Sequence, residues 1–322
     1  MIIYDVAEAY NYPGNEFREG NIPARKVKKL FVFGDSYADT GNWRSTASKS
    51  WKPPYGITFP GKPSGRFSDG RVLTDYIASY LGIRSPSSYC QLKNFNTNKT
   101  QYGINFAHGG TGVFKTLVDQ PNMTTQIGFL QQLIDKSVFT TQDLSSSIAL
   151  VSLAGNDYSA YLANNGSLED LPKFTKSVIN QLILDVKRIN GFGIKKIGIT
   201  GLEPAGCLPR STASASYEYC NTEENKFSES HNQMLKQNLE ALNDEAGAPV
   251  FIYLDLYNAF TSALKIQQKP SDCGTTDKNE HNIYVVCKNP KLSFFWDSIH
   301  PSNAGWGTVF SALERSLNAF LL

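Results

Sequence analysis

Apolar residues fall along this chain in short blocks of two alternating kinds. The first kind is a continuous run: Lys29–Gly34 (KLFVFG), Tyr102–Ala107, Ser147–Leu153 (SIALVSL), Lys195–Thr200 and Pro249–Leu256. Short unbroken runs rich in Val, Ile and Phe predict strands covered on both sides. The second kind repeats at helical spacing. Val72, Tyr76, Ile77 and Tyr80 share a face in Arg71–Leu81, as do Ile127, Leu130, Leu133 and Ile134 in Gln126–Val138. Longer amphipathic helices are predicted for Pro172–Ile189 and Glu223–Ala246, and a closing helix for Ser302–Phe320. Strands alternating with helices predict an α/β chain: a five-stranded parallel sheet with helices on both faces, a three-layer α/β/α sandwich. No repeat or linker divides it. The expected organisation is an N-terminal extension over 1–27 and one domain over 28–322.

Reactive groups in such sheets collect at the carboxyl ends of the strands, and several of the predicted strands end in small polar motifs. The first runs into Gly34-Asp35-Ser36-Tyr37, which would expose the Ser36 hydroxyl at the sheet's rim. A serine that merely caps a helix would look the same in isolation. Asp297-Ser298-Ile299-His300-Pro301 stands just before the closing helix. A carboxylate three residues before a histidine can hold its Nδ1 in a tight turn and leave Nε2 for a serine. Of the histidines His108, His231, His281 and His300, only His300 has that carboxylate. Gly155-Asn156-Asp157 follows the third strand, where the Asn156 amide could donate to an oxyanion or simply make a turn. Gly103 to Gly112 is glycine-rich but lacks the spacing of a P-loop or a dinucleotide fingerprint.

Charge adds little direction. The 31 basic and 29 acidic residues leave a net charge of +2, so no field calls for nucleic acid, and no apolar run is long enough to span a bilayer. No metal-ligand spacing and no cofactor motif occurs, and a monomer is expected. Met1–Arg25 lacks the basic and apolar regions of a signal peptide, which alone fits a cytosolic chain. The cysteines and sequons point the other way. Cys207 and Cys220 bracket one loop, Cys273 and Cys287 another, and Cys90 is left over. Asn98, Asn122 and Asn165 each open an Asn-X-Ser/Thr sequon. Together these lean to a secreted glycoprotein, its leader either removed or never present.

The motifs in this order resemble the signature blocks of the SGNH superfamily, and the intervening text resembles the plant GDSL esterase/lipase family. Pro60-Gly61-Lys62-Pro63-Ser64-Gly65-Arg66-Phe67-Ser68-Asp69-Gly70-Arg71 and Pro204-Ala205-Gly206-Cys207-Leu208-Pro209 are similar to stretches of that plant family. The likeness runs from about Lys28 to about Phe320. It implies a flavodoxin-like sandwich and ester hydrolysis through an acyl-enzyme. It implies Ser36 as nucleophile, His300 as base, Asp297 orienting His300, and an oxyanion hole of Ser36 N–H, Gly110 N–H and the Asn156 side chain. It also implies local disulfides, Cys207–Cys220 and Cys273–Cys287. Tyr37 departs from it, standing where Leu is usual, and so does His108. Tyr37, beside the nucleophile, reads as packing with little effect on catalysis or as substrate lining; His108 reads as acyl-pocket lining or as packing under the loop. Acyl transfer on the same site is the main alternative, and an inactive binding protein on the same scaffold is a more remote one. Specificity would lie in loops carrying Trp43, Trp51, Tyr55, Phe59, Tyr158, Tyr161 and Tyr217.

Overall fold

The computed structural model describes residues 27–43, 48–92, 97–153, 155–266, 273–276 and 284–321. The expected extension lies outside them except for Val27, which packs against the core. In chain order the elements are β1 (Leu30–Gly34), α1 (Leu73–Tyr80), β2 (Ser87–Ser88), β3 (Ile104–Asn105), α2 (Met123–Asp135), α3 (Thr141–Ser145), β4 (Ile148–Ser152), α4 (Gly155–Ala163) and α5 (Leu171–Gly191). They continue with β5 (Lys196–Thr200), α6 (Thr222–Ala246), β6 (Phe251–Leu254), α7 (Leu256–Ile266), the antiparallel pair β7 (Gly274–Thr276) and β8 (Tyr284–Val286), and α8 (Asn303–Leu321).

The main sheet runs β2-β3-β1-β4-β5-β6, every pair parallel. It has six strands where the apolar runs predict five. The extra strand, β2, is a two-residue edge strand of serines beside β3, with no apolar run to announce it. Without β2 the order is the flavodoxin-like one, in which β1 sits between β3 and β4. Successive side chains of a strand point to opposite faces, and this divides the core in two. Phe31, Phe33, Ala149, Val151, Ile197 and Ile199 face α2, α5 and α6. Leu30, Val32, Ile148, Leu150 and Leu254 face α1, α7 and α8. The result is the three-layer sandwich.

Three helices, the short α3 as well as α4 and α7, were not legible in the sequence pattern. Helix α7 follows β6 with only Asp255 between them, so the strand's apolar run hides its start; Asp255 Oδ1 accepts the Asn258 N–H at 2.9 Å. Helix α4 begins in Gly155-Asn156-Asp157, a sequence that reads as a turn.

Parallel pairing aligns the strand ends. Gly34 of β1 is level with Ser152 of β4, and Thr200 of β5 with Leu254 of β6. The chain crosses from β3 to β4 over β1, so the order reverses beside β1. The crevice outside the carboxyl ends at such a reversal is where these sheets bind ligands. Ser36 and Asn156 both lie there.

Candidate active site

The turn after β1 is built around Gly34. Its φ is +151°, and a Cβ there would stand 2.1 Å from the Ser152 carbonyl oxygen, so only glycine fits between β1 and β4. Gln126, fully buried on α2, grips the same residue twice: its Oε1 accepts the Gly34 N–H at 2.8 Å, and its Nε2 donates to the Gly34 carbonyl at 2.9 Å. Asp35 then takes the Tyr37 N–H at 3.0 Å. Burial, reinforced by the nearby carboxylates of Glu203, Asp157 and Asp39, pushes the Asp35 carboxyl well above its ordinary range, although the Tyr37 N–H opposes this. These bonds leave Ser36 8% exposed at the cavity wall.

His300 reaches Ser36 from a turn just before α8. Its Nε2 lies 2.8 Å from the Ser36 Oγ, and its Nδ1 lies 2.8 Å from both carboxylate oxygens of Asp297. With Nδ1–H donating to Asp297, Nε2 is left to accept the serine proton. Asp297 also shapes the turn, its Oδ1 accepting the backbone N–H of Ile299 at 2.9 Å and of His300 at 2.8 Å. Its Oδ2 accepts the Tyr55 hydroxyl at 2.7 Å. Burial alone would raise this carboxyl's pKa, but the neighbouring His300 and these donors outweigh it and hold it at about 2. Ser302 caps α8, its Oγ accepting the Gly305 N–H at 3.0 Å.

The loop after β3 supplies Gly110, with φ +76° and its carbonyl held by the Thr116 hydroxyl at 2.7 Å. Neither the Ser36 N–H nor the Gly110 N–H donates to another group among the described residues. The Asn156 Nδ2 donates to the Thr111 carbonyl at 3.0 Å and, on a longer bond, to Asp35 Oδ2 at 3.3 Å. Asp157, next in α4, binds the same loop by accepting the Val113 and Phe114 N–H groups at 2.9 and 2.8 Å. Ser36, Gly110, Asn156 and His300 thus line one cavity of about 210 Å³.

The accessory stretches meet at this cavity. Phe67, from the first, lies on His300 with ring centroids 5.1 Å apart and on Trp43 at 6.0 Å, giving the cavity an aromatic wall. Asp69 of the same stretch accepts the Asn303 N–H at 2.6 Å and so pins the start of α8. The second stretch follows Glu203, a buried carboxylate in the cavity wall whose pKa burial raises. Arg210 lies just beyond it at the rim, and its backbone N–H donates to the Ser298 carbonyl at 3.0 Å.

Some expectations change here. Trp43 alone of the seven loop aromatics lines the cavity; Tyr55 serves Asp297, and Tyr158 is core, bonded to His231 at 2.8 Å. His108 is not in the cavity wall, which removes it from the expected lining. Its Nδ1 is 2.7 Å from the Phe106 carbonyl and its Nε2 3.8 Å from the Cys90 Sγ, so the ring is drawn under the loop. Burial lowers the His108 pKa against the pull of Asp39. Tyr37 does line the cavity. Sequence reasoning missed Gln126, Phe67 and Glu203 as parts of the site. Gln126 opens an otherwise ordinary amphipathic pattern; Phe67 lies in, and Glu203 just before, the accessory stretches, whose text does not say what they touch.

Cys207–Cys220 and Cys273–Cys287 are disulfide-bonded, and Cys90 is in no disulfide among the described residues. Asn165 is exposed, whereas Asn122 caps α2 and turns its amide nitrogen toward the Val113 carbonyl at 3.3 Å. The side chain of Asn98 lies outside the described residues. No metal-binding cluster occurs among the described residues, and no helix among them is long and apolar enough to cross a membrane.

Residues 30–313 match the family described as GDSL-like Lipase/Acylhydrolase. The GDSL esterase/lipase At5g03610 of Arabidopsis thaliana is 45% identical over 315 residues, covering 91% of this chain and 88% of the relative. The GDSL esterase/lipase At3g09930 of the same plant is 44% identical over 324 residues, covering 94% and 92%. Among solved structures, a lipase from a goat rumen metagenome superposes with a TM-score of 0.46 at 12% identity, over 90% of this chain and 97% of that one. The chain belongs to the GDSL-like lipase/acylhydrolase family of carboxylic ester hydrolases.

Proposed function

We propose that this protein hydrolyses carboxylic esters through an acyl-enzyme on Ser36. The observation that carries the reading is His300 seated between two partners: Ser36 Oγ 2.8 Å from Nε2, and Asp297 2.8 Å from Nδ1. Ser36 Oγ attacks the ester carbonyl as its proton passes to His300 Nε2, and Asp297 stabilises the imidazolium that forms. The oxyanion is received by the Ser36 and Gly110 N–H groups and by Asn156 Nδ2, whose 3.3 Å bond to Asp35 is the one it would exchange. His300 then returns the proton to the leaving alcohol. Water, deprotonated by His300, attacks the acyl carbon and releases the acid and Ser36.

The cavity of about 210 Å³ is smaller than the roughly 300–1,000 Å³ of pockets for drug-sized ligands, which favours short acyl groups. The two disulfides fit folding in an oxidising compartment, and secretion of a single-domain monomer completes the proposal. The test is hydrolysis of p-nitrophenyl acetate, butyrate and palmitate by wild type and Ser36→Ala. Turnover falling with chain length, and lost in the variant, is expected. A folded wild type that turns over none of them, or a fully active variant, would overturn the reading.

A further inference from the structure

The peptide plane joining Ile299 to His300 is bonded at both ends. Its N–H, on His300, donates to Asp297 Oδ1 at 2.8 Å. Its carbonyl, on Ile299, accepts the Tyr37 hydroxyl at 3.0 Å. Tyr37 is the residue after Ser36, so the neighbour of the hydroxyl nucleophile holds the neighbour of the base across 262 positions of chain.

The Tyr37 side chain is rigidly placed for this. It is 7% exposed, with Trp306 edge-on at 5.1 Å and Phe260 stacked at 6.2 Å. Its ring meets the His300 imidazole at 5.9 Å and 71°, so it also limits rotation of the base. The Glu203 carboxyl lies by the same hydroxyl. Burial pushes the phenol well above its ordinary pKa, and it keeps the proton it donates. The family resemblance puts Leu at this position, and Leu has no donor to offer Ile299.

We propose that Tyr37 is a positioning residue that sets the approach of His300 to Ser36 through its hydrogen bond to the Ile299 carbonyl. This rests on the acyl-enzyme reading and deepens it. Asp297 fixes the base from within its own turn. Tyr37 fixes it from the nucleophile's side, tying the two motifs that lie at opposite ends of the sequence. The hydrogen bond acts on acylation and deacylation alike, because His300 moves the proton in both.

The test compares wild type, Tyr37→Phe and Tyr37→Leu. Tyr37→Phe keeps the ring against His300 and removes only the donor. Competent sites are counted with a fluorophosphonate, and kcat is expressed per titrated site, so that loss of folded protein is removed from the comparison. The expected result for Tyr37→Phe is kcat per site reduced roughly three- to tenfold with KM within twofold, the size expected for one hydrogen bond felt in the transition state. Tyr37→Leu, which loses the ring contact as well, falls further. An unchanged kcat per site in Tyr37→Phe, or a loss borne by KM alone, would overturn the inference. If wild type itself turned over no ester, the acyl-enzyme reading would have failed instead.

Discussion

The Tyr55 hydroxyl donates to Asp297 Oδ2 at 2.7 Å, joining a loop early in the chain to the carboxylate that orients His300. Asp297 therefore accepts from Tyr55, from the His300 ring and from two backbone N–H groups at once. A group so fully engaged is an anchor for the turn as well as the proposed electrostatic partner for the imidazolium.

Asp297→Asn should keep most of that turn while presenting an amide to Nδ1, which disturbs the imidazole's tautomer. The expected loss in kcat is roughly a thousand- to ten-thousandfold, with a circular-dichroism spectrum like wild type. Steady-state kinetics checks it. A loss below tenfold would remove Asp297 from its proposed role.

Asn156→Ala removes the one side-chain donor proposed for the oxyanion. Loss of such a donor costs about 2.7–4 kcal/mol in the barrier, so kcat should fall roughly a hundred- to a thousandfold with little change in KM. If the amide serves only Thr111 and Asp35, thermal stability would drop and kcat per titrated site would not.

Gln126→Leu should show that the nucleophile's turn is held from beneath. It strips the buried Gly34 N–H of the partner it meets at 2.8 Å. An unsatisfied buried N–H costs about 1–3 kcal/mol, and urea unfolding should report a loss of that order. Stability equal to wild type would mean the turn holds itself.

How much of this was legible follows from how local each signal is. Ser36, Asp297 and His300 sit in motifs whose members are adjacent in the chain, and the alternation of apolar runs with helical spacing marks the layers. Gln126, Phe67, Glu203 and Tyr55 act across distance: Phe67 meets a histidine 233 residues away only once α8 has packed, since Asp69 pins Asn303. Strand β2 escaped because its serines carry no apolar pattern, and α7 because β6 runs almost directly into it. Tyr37 was read as packing. Its ring is packed, and its hydroxyl has a partner that only the folded chain brings within reach.

Acid should expose His231. Its Nδ1 bonds the Tyr158 hydroxyl, its Nε2 is buried with no hydrogen-bond partner among the described residues, and burial holds its pKa at about 3, below the ordinary 6.5. Between those values the unfolded chain binds the extra proton, so this contribution is complete above pH 6.5 and declines as pH falls toward 3. By pH 4 the loss amounts to about 3 kcal/mol. Asp157 acts in the opposite sense: burial raises it to about 6, so its contribution grows as pH falls below that. Comparing wild type with His231→Asn isolates the histidine. The variant should lose less stability than wild type between pH 7 and pH 4, and equal losses would contradict the assignment.

Thiol chemistry gives an independent check on the loops beside the site. Denatured but unreduced protein should release one equivalent of thiol, from Cys90, and reduction should release the four cysteines of the two disulfides. The Cys207–Cys220 ring closes the loop carrying Arg210, with a sequence separation of 13 residues. Cys207→Ser with Cys220→Ser should lower stability by about 2–4 kcal/mol. Five free thiols in protein purified without reductant would contradict the pairing.

The central claim is that Ser36 is a nucleophile made reactive by His300. Its most direct test is labelling with an alkyl fluorophosphonate, followed by intact mass and peptide mapping. The account predicts one adduct per molecule, on Ser36, absent in Ser36→Ala and formed at least a hundredfold more slowly in folded His300→Ala. No adduct on the folded wild type, an adduct on another residue, or equal labelling of His300→Ala would contradict it.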